Sequence, residues 1–251
     1  MKIGIVGRGH VGSAMKNLFK DAVVYDKIKN EGSLEDINKC DIAFICVPTP
    51  MKIDGSCCVE IVDEVLSQVN CKVIVLRSTV PVGYTEDRNK ALGKRIVFQP
   101  EYYGETVAHP FASLNDRAWI TLGGDVDDAS YVANAYRQVH NSNLYINIVT
   151  AKTAELAKYM ENAFLAAKVA FCNEFYDMAK AVGVNYDQLR ETWLLDTRIG
   201  RSHTFVYDGD RGYGGSCLPK DMASIIHQFN TNGVDPTLIS AVERKNKIYK
   251  G

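Results

Sequence analysis

Seven short apolar runs punctuate the first 150 residues, at 2–6, 22–25, 42–47, 73–76, 96–98, 119–122 and 145–149. Stretches with helical periodicity lie between them, and such alternation predicts a parallel sheet covered by helices. After residue 150 the pattern changes. Ala154, Leu156, Ala157, Met160, Phe164, Leu165, Ala167, Val169, Ala170 and Phe171 recur at the spacing of a long, mostly buried helix. A second, all-helical unit therefore begins there, which divides the chain at 1–150 and 151–251. Residues 198–215 hold five of the 19 glycines and little periodicity, so they read as a loop between helices.

With 251 residues, 46% of them hydrophobic, the chain can build one large or two small cores. Twenty-nine basic and 30 acidic residues leave a formal net charge of -1. That balance argues against a general affinity for nucleic acid or anionic membranes and for a small partner. No apolar run reaches the roughly 18 residues of a membrane span, and Met1-Lys2 leads straight into a strand pattern, so a cytoplasmic address is expected. Seven cysteines, irregularly spaced at 40, 46, 57, 58, 71, 172 and 217, read as reduced thiols. None has zinc spacing, and no metal is expected.

The first strand runs into Gly7-Arg8-Gly9-His10-Val11-Gly12, followed by the helical Ser13-Ala14-Met15. Such a turn lets backbone approach a pyrophosphate, which then sits on the positive end of a helix. The second strand ends at Asp26, 19 residues after Gly7, where a carboxylate accepts hydrogen bonds from a ribose diol. Strand, glycine turn, helix and acid in that order predict a Rossmann-type doubly wound sheet that binds a dinucleotide. Asp26 favours NAD over NADP, with Lys27 directly beside it. Ligands of such sheets lie beyond the carboxyl ends of the strands, which places Thr49 and Thr79 for cofactor contact, although Thr and Pro also suit plain strand-ending turns.

Candidate chemistry lies in three further segments: Pro100-Glu101-Tyr102-Tyr103-Gly104-Glu105, Glu155 to Asn162, and Gly212 to Asp221. Lys158 and Asn162 are four apart and share a helix face, where a semi-buried ammonium beside an amide stabilises an oxyanion; an ordinary surface lysine has the same spacing. Cys217 follows a glycine-rich approach and precedes Pro219. If a helix starts there, its positive end and Lys220 favour a thiolate, whereas an inert buried thiol is the common alternative. Glu101 and Glu105 read equally well as base, acceptor or solvated charge.

On these residues the chain resembles the UDP-glucose/GDP-mannose dehydrogenases. Gly-Tyr-Gly-Gly-Ser-Cys-Leu-Pro-Lys-Asp at 212–221 is similar to that family's nucleophile segment. Cys-Val-Pro-Thr-Pro from 46, Ser-Thr-Val-Pro-Val-Gly from 78, Pro-Glu-Tyr from 100, Glu-Leu-Ala-Lys-Tyr-Met-Glu-Asn from 155 and Asp-Thr-Arg-Ile-Gly from 196 follow in the family's order. The resemblance implies two successive NAD-dependent oxidations of a nucleotide sugar, UDP-glucose to UDP-glucuronate, through a thiohemiacetal and a thioester on Cys217. It implies an oxyanion-holding Lys158 partnered by Asn162, a water-holding Asp221, a water or cofactor contact at Thr79 and a hydrolytic base at Glu101. Glu105 and Lys220 would lie on the cofactor side. Tyr102, Tyr103, Tyr207 and Gly214 would lie near the sugar nucleotide, and Arg198 would reach the substrate of a second protomer in a homodimer built on the helix at 151–180. Full members continue into a third, nucleotide-closing domain beyond the position of Gly251, so the chain reads as an excised fragment, as one of two polypeptides or as a compact natural form; the lack of the family's longer insert between Asp26 and Ile42 favours the last. The β-hydroxyacid dehydrogenases, with a lysine and an asparagine four residues apart and a single hydride transfer, are similar in layout, and a non-catalytic NAD-binding partner or sensor is the remaining alternative.

Overall fold

The computed structural model describes residues 1–102, 117–140 and 143–251. Two compact units divide them: 1–50 with 57–158, and 51–56 with 159–251.

In the first unit every apolar run becomes a strand: β1 (Ile3–Val6), β2 (Val23–Tyr25), β3 (Ile42–Ile45), β4 (Val73–Leu76), β5 (Ile96–Phe98), β6 (Trp119–Gly123) and β7 (Tyr145–Val149). They form one sheet in the order β2-β1-β3-β4-β5-β6-β7. Neighbours are parallel from β2 to β5 and again between β6 and β7. The expected doubly wound parallel sheet is present, with one reversal inside it: β6 runs antiparallel to β5, joined through Phe98 and Gly123. An apolar run carries no direction, so periodicity could not show this reversal.

Both faces of the sheet are covered at its centre, which is why β3, β4 and β5 are continuously apolar rather than alternating. On one face Ile5, Phe44, Val75 and Leu122 pack against Met15 of α1 (His10–Leu18) and Val132 and Tyr136 of α5 (Val126–Val139). On the other, Val6, Ile45, Leu76 and Phe98 meet Ile37 of α2 (Leu34–Asn38), Leu66 of α3 (Glu60–Gln68), Tyr84 of α4 (Tyr84–Leu92) and Ala154 of α6 (Ala151–Ala181). Burying each such side chain contributes about 1.5–3 kcal/mol. Phe19, Phe44 and Tyr136 add an aromatic triad with centroids 5.4–6.0 Å apart.

The second unit contains the rest of α6, α7 (Tyr186–Trp193), α8 (Leu218–Thr231) and α9 (Thr237–Lys250). Gly183, at φ +73°, ends α6: the Val184 amide reaches back to the Ala179 carbonyl at 2.8 Å. Inside the unit Ala166, Val169, Tyr213 and Met222 form one cluster and Cys172, Ala179 and Tyr186 another. The prediction of a mostly buried α6 fails here. Ala154, Ala166, Val169 and Ala170 face inward, while Met160 (74% exposed), Phe164 (64%) and Phe171 (47%) face out. Two apolar stripes share one helical period, and the smaller side chains allow the closer packing. Among the described residues no helix is long and apolar enough to cross a membrane.

Candidate active site

In the first unit, the three turn glycines divide by what they must avoid. At Gly7 φ is +87° and a Cβ would lie 2.8 Å from the Cys46 carbonyl oxygen; at Gly12 it would lie 1.9 Å from the Gly7 carbonyl oxygen. The chain itself thus requires both. A Cβ on Gly9 would meet nothing within 4 Å. Gly9 is also the N-cap of α1, and no side chain caps it. The open approach and the amides of an uncapped first turn, which begins at His10 and Val11, fit the pyrophosphate of a dinucleotide. Asp26, at the end of β2, accepts from the Arg8 amide at 2.6 Å and the Lys29 amide at 2.9 Å. The Arg8 amide foremost, against desolvation and with help from the Lys29 amide, holds the Asp26 carboxyl below its ordinary 3.8. An ionised acceptor therefore persists for a ribose diol throughout neutral pH. Lys27 instead turns to Glu64 of α3, 2.8 Å away. Thr49 is buried and Thr79 half-buried. The Ser78 hydroxyl donates to the Val47 carbonyl at 2.6 Å, so the carboxyl ends of β3 and β4, and with them both threonines, are tied together.

Lys158 is 8% exposed on α6, its Nζ 4.8 Å from the centre of the Tyr102 ring. One turn earlier Glu155 is fully buried and accepts from the amides of Gly83 at 2.6 Å and Thr85 at 3.0 Å. Gly83 sits at φ +94° as the N-cap of α4, a position where glycine supplies no capping side chain. Glu155 therefore caps α4 from another helix and pins the start of α6 to the loop that carries Thr79. Burial raises the Glu155 carboxyl above its usual value, and the hydrogen bonds from Thr85 and Gly83 oppose that rise.

Glu101 does not project as a solvated charge. Its carboxylate pairs with the buried Arg77 guanidinium, with Arg117 Nη2 3.8 Å away. Arg77 also donates to Gln99 and to the Tyr136 hydroxyl, each at 3.0 Å, and Arg117 stacks over Tyr102 and Trp119. Tyr103 and Glu105 lie outside the described residues.

In the second unit, Cys217 is exposed and is itself the N-cap of α8, with Pro219 in the first turn. The helix anticipated near Pro219 thus starts one residue earlier, and its positive end lies at the thiol. Asn162 Nδ2 donates to Asp221 Oδ2 at 2.6 Å, and Lys220 Nζ contacts the other oxygen at 2.5 Å. Lys220 is thus paired with Asp221. Asp221 is 2% exposed, and these two donors meet both of its carboxylate oxygens.

The loop before Cys217 is anchored by residues the sequence did not single out. Asn246 of α9 grips the Tyr213 backbone from both sides, accepting from its amide at 2.7 Å and donating to its carbonyl at 3.0 Å. The side chain of Asn173 on α6 accepts from Arg211 at 2.6 Å. Gly212 is required because φ is +73° and a Cβ would lie 2.4 Å from Asn246 Oδ1. A Cβ on Gly214 would meet Lys250 at 3.5 Å, which is ordinary contact. Tyr207 is exposed, and Arg198 pairs with its near neighbour Asp196.

Comparison with known proteins adds a family context. Residues 13–140 match the NAD binding domain of the UDP-glucose/GDP-mannose dehydrogenase family, and residues 152–248 match its central domain. A UDP-glucose 6-dehydrogenase of Pseudomonas aeruginosa is 29% identical over 94% of this chain and 55% of its own length. The chain thus spans about half the length of the curated relatives it matches. Among solved structures, a UDP-glucose dehydrogenase from Pyrobaculum islandicum superposes with a TM-score of 0.83 at 26% identity, covering 98% of this chain and 68% of that one. A UDP-D-ManNAc dehydrogenase from Pyrococcus horikoshii shares the fold, with a TM-score of 0.82 at 23% identity over 98% of this chain and 68% of that one.

Proposed function

Because this chain belongs to the UDP-glucose/GDP-mannose dehydrogenase family, we propose that it oxidises a nucleotide sugar, UDP-glucose, to the uronate in two NAD-dependent steps. The observation that carries this reading is the setting of Cys217: an exposed thiol at the N-terminus of α8, four residues before a buried carboxylate that Asn162 and Lys220 hold. Bound along the Gly7–Gly12 turn and Asp26, NAD supplies the hydride acceptor.

The chain's own groups account for the rest. Removal of a hydride and a proton from the C6 alcohol leaves an aldehyde. Cys217 adds its sulfur to that carbonyl while the oxygen takes up a proton, and the covalent bond prevents escape of the aldehyde. Loss of a second hydride and the hydroxyl proton converts this thiohemiacetal to a thioester. Water then breaks the C–S bond, releasing the carboxylate and returning the thiol. Lys158 stabilises negative charge on the sugar oxygen, and the Asn162–Asp221 pair holds water. Glu101, kept in place by Arg77 and Arg117, orients the hydrolytic water. Counting NADH per UDP-glucose consumed tests the scheme: two supports it, one indicates single-hydride chemistry, and none with NAD binding retained indicates a sensor.

The same reading includes a homodimer through α6. Met160, Phe164, Phe171, Phe175 and Met178 all lie exposed on one stripe of that helix. An apolar ridge of that length is normally covered. Arg198 lines a cavity of about 480 Å³ together with Phe164, Phe171 and Trp193, and in the proposed dimer it reaches toward the second protomer's substrate. Light scattering is expected to give a dimeric mass that Phe171→Glu with Phe175→Glu halves; a monomeric parent protein would overturn the assignment.

A further inference from the structure

The turn after β2 holds a second carboxylate whose place has no evident role in folding. Asp26 and Glu31 exchange backbone hydrogen bonds at 2.9 and 3.1 Å, which closes the turn. Asn30 at φ +51° and Gly32 at φ +66° set its path, and a Cβ on Gly32 would lie 1.9 Å from the Val24 carbonyl oxygen. The Glu31 side chain is thereby held beside Asp26, and its Oε1 accepts from Arg8 Nη1 at 2.5 Å. Arg8 is the residue between Gly7 and Gly9, and its amide is the one that donates to Asp26. Lys29 Nζ lies 2.5 Å from the Arg8 carbonyl oxygen. Two cations, Arg8 and Lys29, therefore surround the carboxylate that would meet the adenosine ribose, while the third, Lys27, is engaged by Glu64.

Those cations suit a phosphate dianion better than a diol, because a guanidinium binds phosphate through paired donors. What opposes that use is Glu31. We propose that Glu31 is a second selectivity carboxylate: by holding the Arg8 guanidinium in an ion pair, it withholds from the 2′-phosphate of NADP the cation beside Asp26. The inference rests on dinucleotide binding at this turn. Selectivity then has two parts, repulsion by Asp26 and sequestration of Arg8 by Glu31. Removing one carboxylate leaves the other, so the two act together.

Calorimetric titration of the intact protein with NAD and with NADP tests this without reliance on turnover. The Glu31 side chain is partly exposed and its ion pair with Arg8 lies at the surface, so Glu31→Gln should leave the melting temperature and NAD affinity close to parental values. In an Asp26→Ser background, adding Glu31→Gln should tighten NADP by about tenfold, an increment that falls as salt is raised and disappears on adding Arg8→Ala. An unchanged NADP affinity on adding Glu31→Gln, or a gain that survives Arg8→Ala, overturns the assignment while NAD binding by the parent still stands. Absence of NAD binding by the parent would instead remove the reading on which the inference rests.

Discussion

Cys217→Ser is expected to remain folded and to lose uronate formation by about 10³-fold or more, because a serine hydroxyl is a far poorer nucleophile and acyl carrier than a thiol. The fold should tolerate the change. Cys217 is exposed, its carbonyl already accepts from the Asp221 amide at 2.9 Å, and serine is a favoured N-cap. Stability should therefore stay within about 0.5 kcal/mol of the parent. The assay is NADH yield per UDP-glucose with mass spectrometry of the quenched protein: the parent carries a sugar adduct that the variant lacks. Two NADH per sugar at the parental rate in Cys217→Ser would sink the covalent scheme.

Lys158→Met should slow both oxidations by about 10²–10³-fold, the loss usual when a preorganised group facing a developing oxyanion is removed. Methionine preserves most of the unbranched apolar bulk of lysine. Because the unbranched stem keeps its packing over Tyr102, the variant should remain folded. That separation of rate from stability distinguishes a catalytic ammonium from one that only packs over Tyr102 at 4.8 Å. Rates within tenfold of the parent would remove Lys158 from the chemistry. A large fall in melting temperature would mean that its contact with Tyr102 is structural instead.

What local patterns express was legible in the sequence. Runs such as 42–45 and 73–76 became β3 and β4 because an apolar segment of that length buries itself as a strand. The Gly7–Gly12 turn and Asp26 were legible because steric demand and an acid at a strand end act over a few residues. The segment 212–221 was legible by resemblance, and the helix that Pro219 suggests begins at Leu218, with Cys217 as its N-cap. Other features depend on partners far apart in the chain. The Glu155 cap on α4 joins groups about 70 residues apart, and Arg77 is 59 residues from the Tyr136 hydroxyl to which it donates.

The sequence by itself therefore determined the seven strands, the dinucleotide turn and which residue types are available for chemistry, since each follows from short-range periodicity, backbone sterics or side-chain reactivity. Only the tertiary structure decided the reversed direction of β6, which stripe of α6 faces inward, and which charges meet. The sequence leaves Glu101 open as base, acceptor or solvated charge and Lys220 as a neighbour of the thiol or of the cofactor; the fold sets Arg77 and Arg117 against the first and Asp221 beside the second. Charge interactions fall off with distance in space rather than along the chain. A buried carboxylate's role is therefore set by the donors that the fold brings to it.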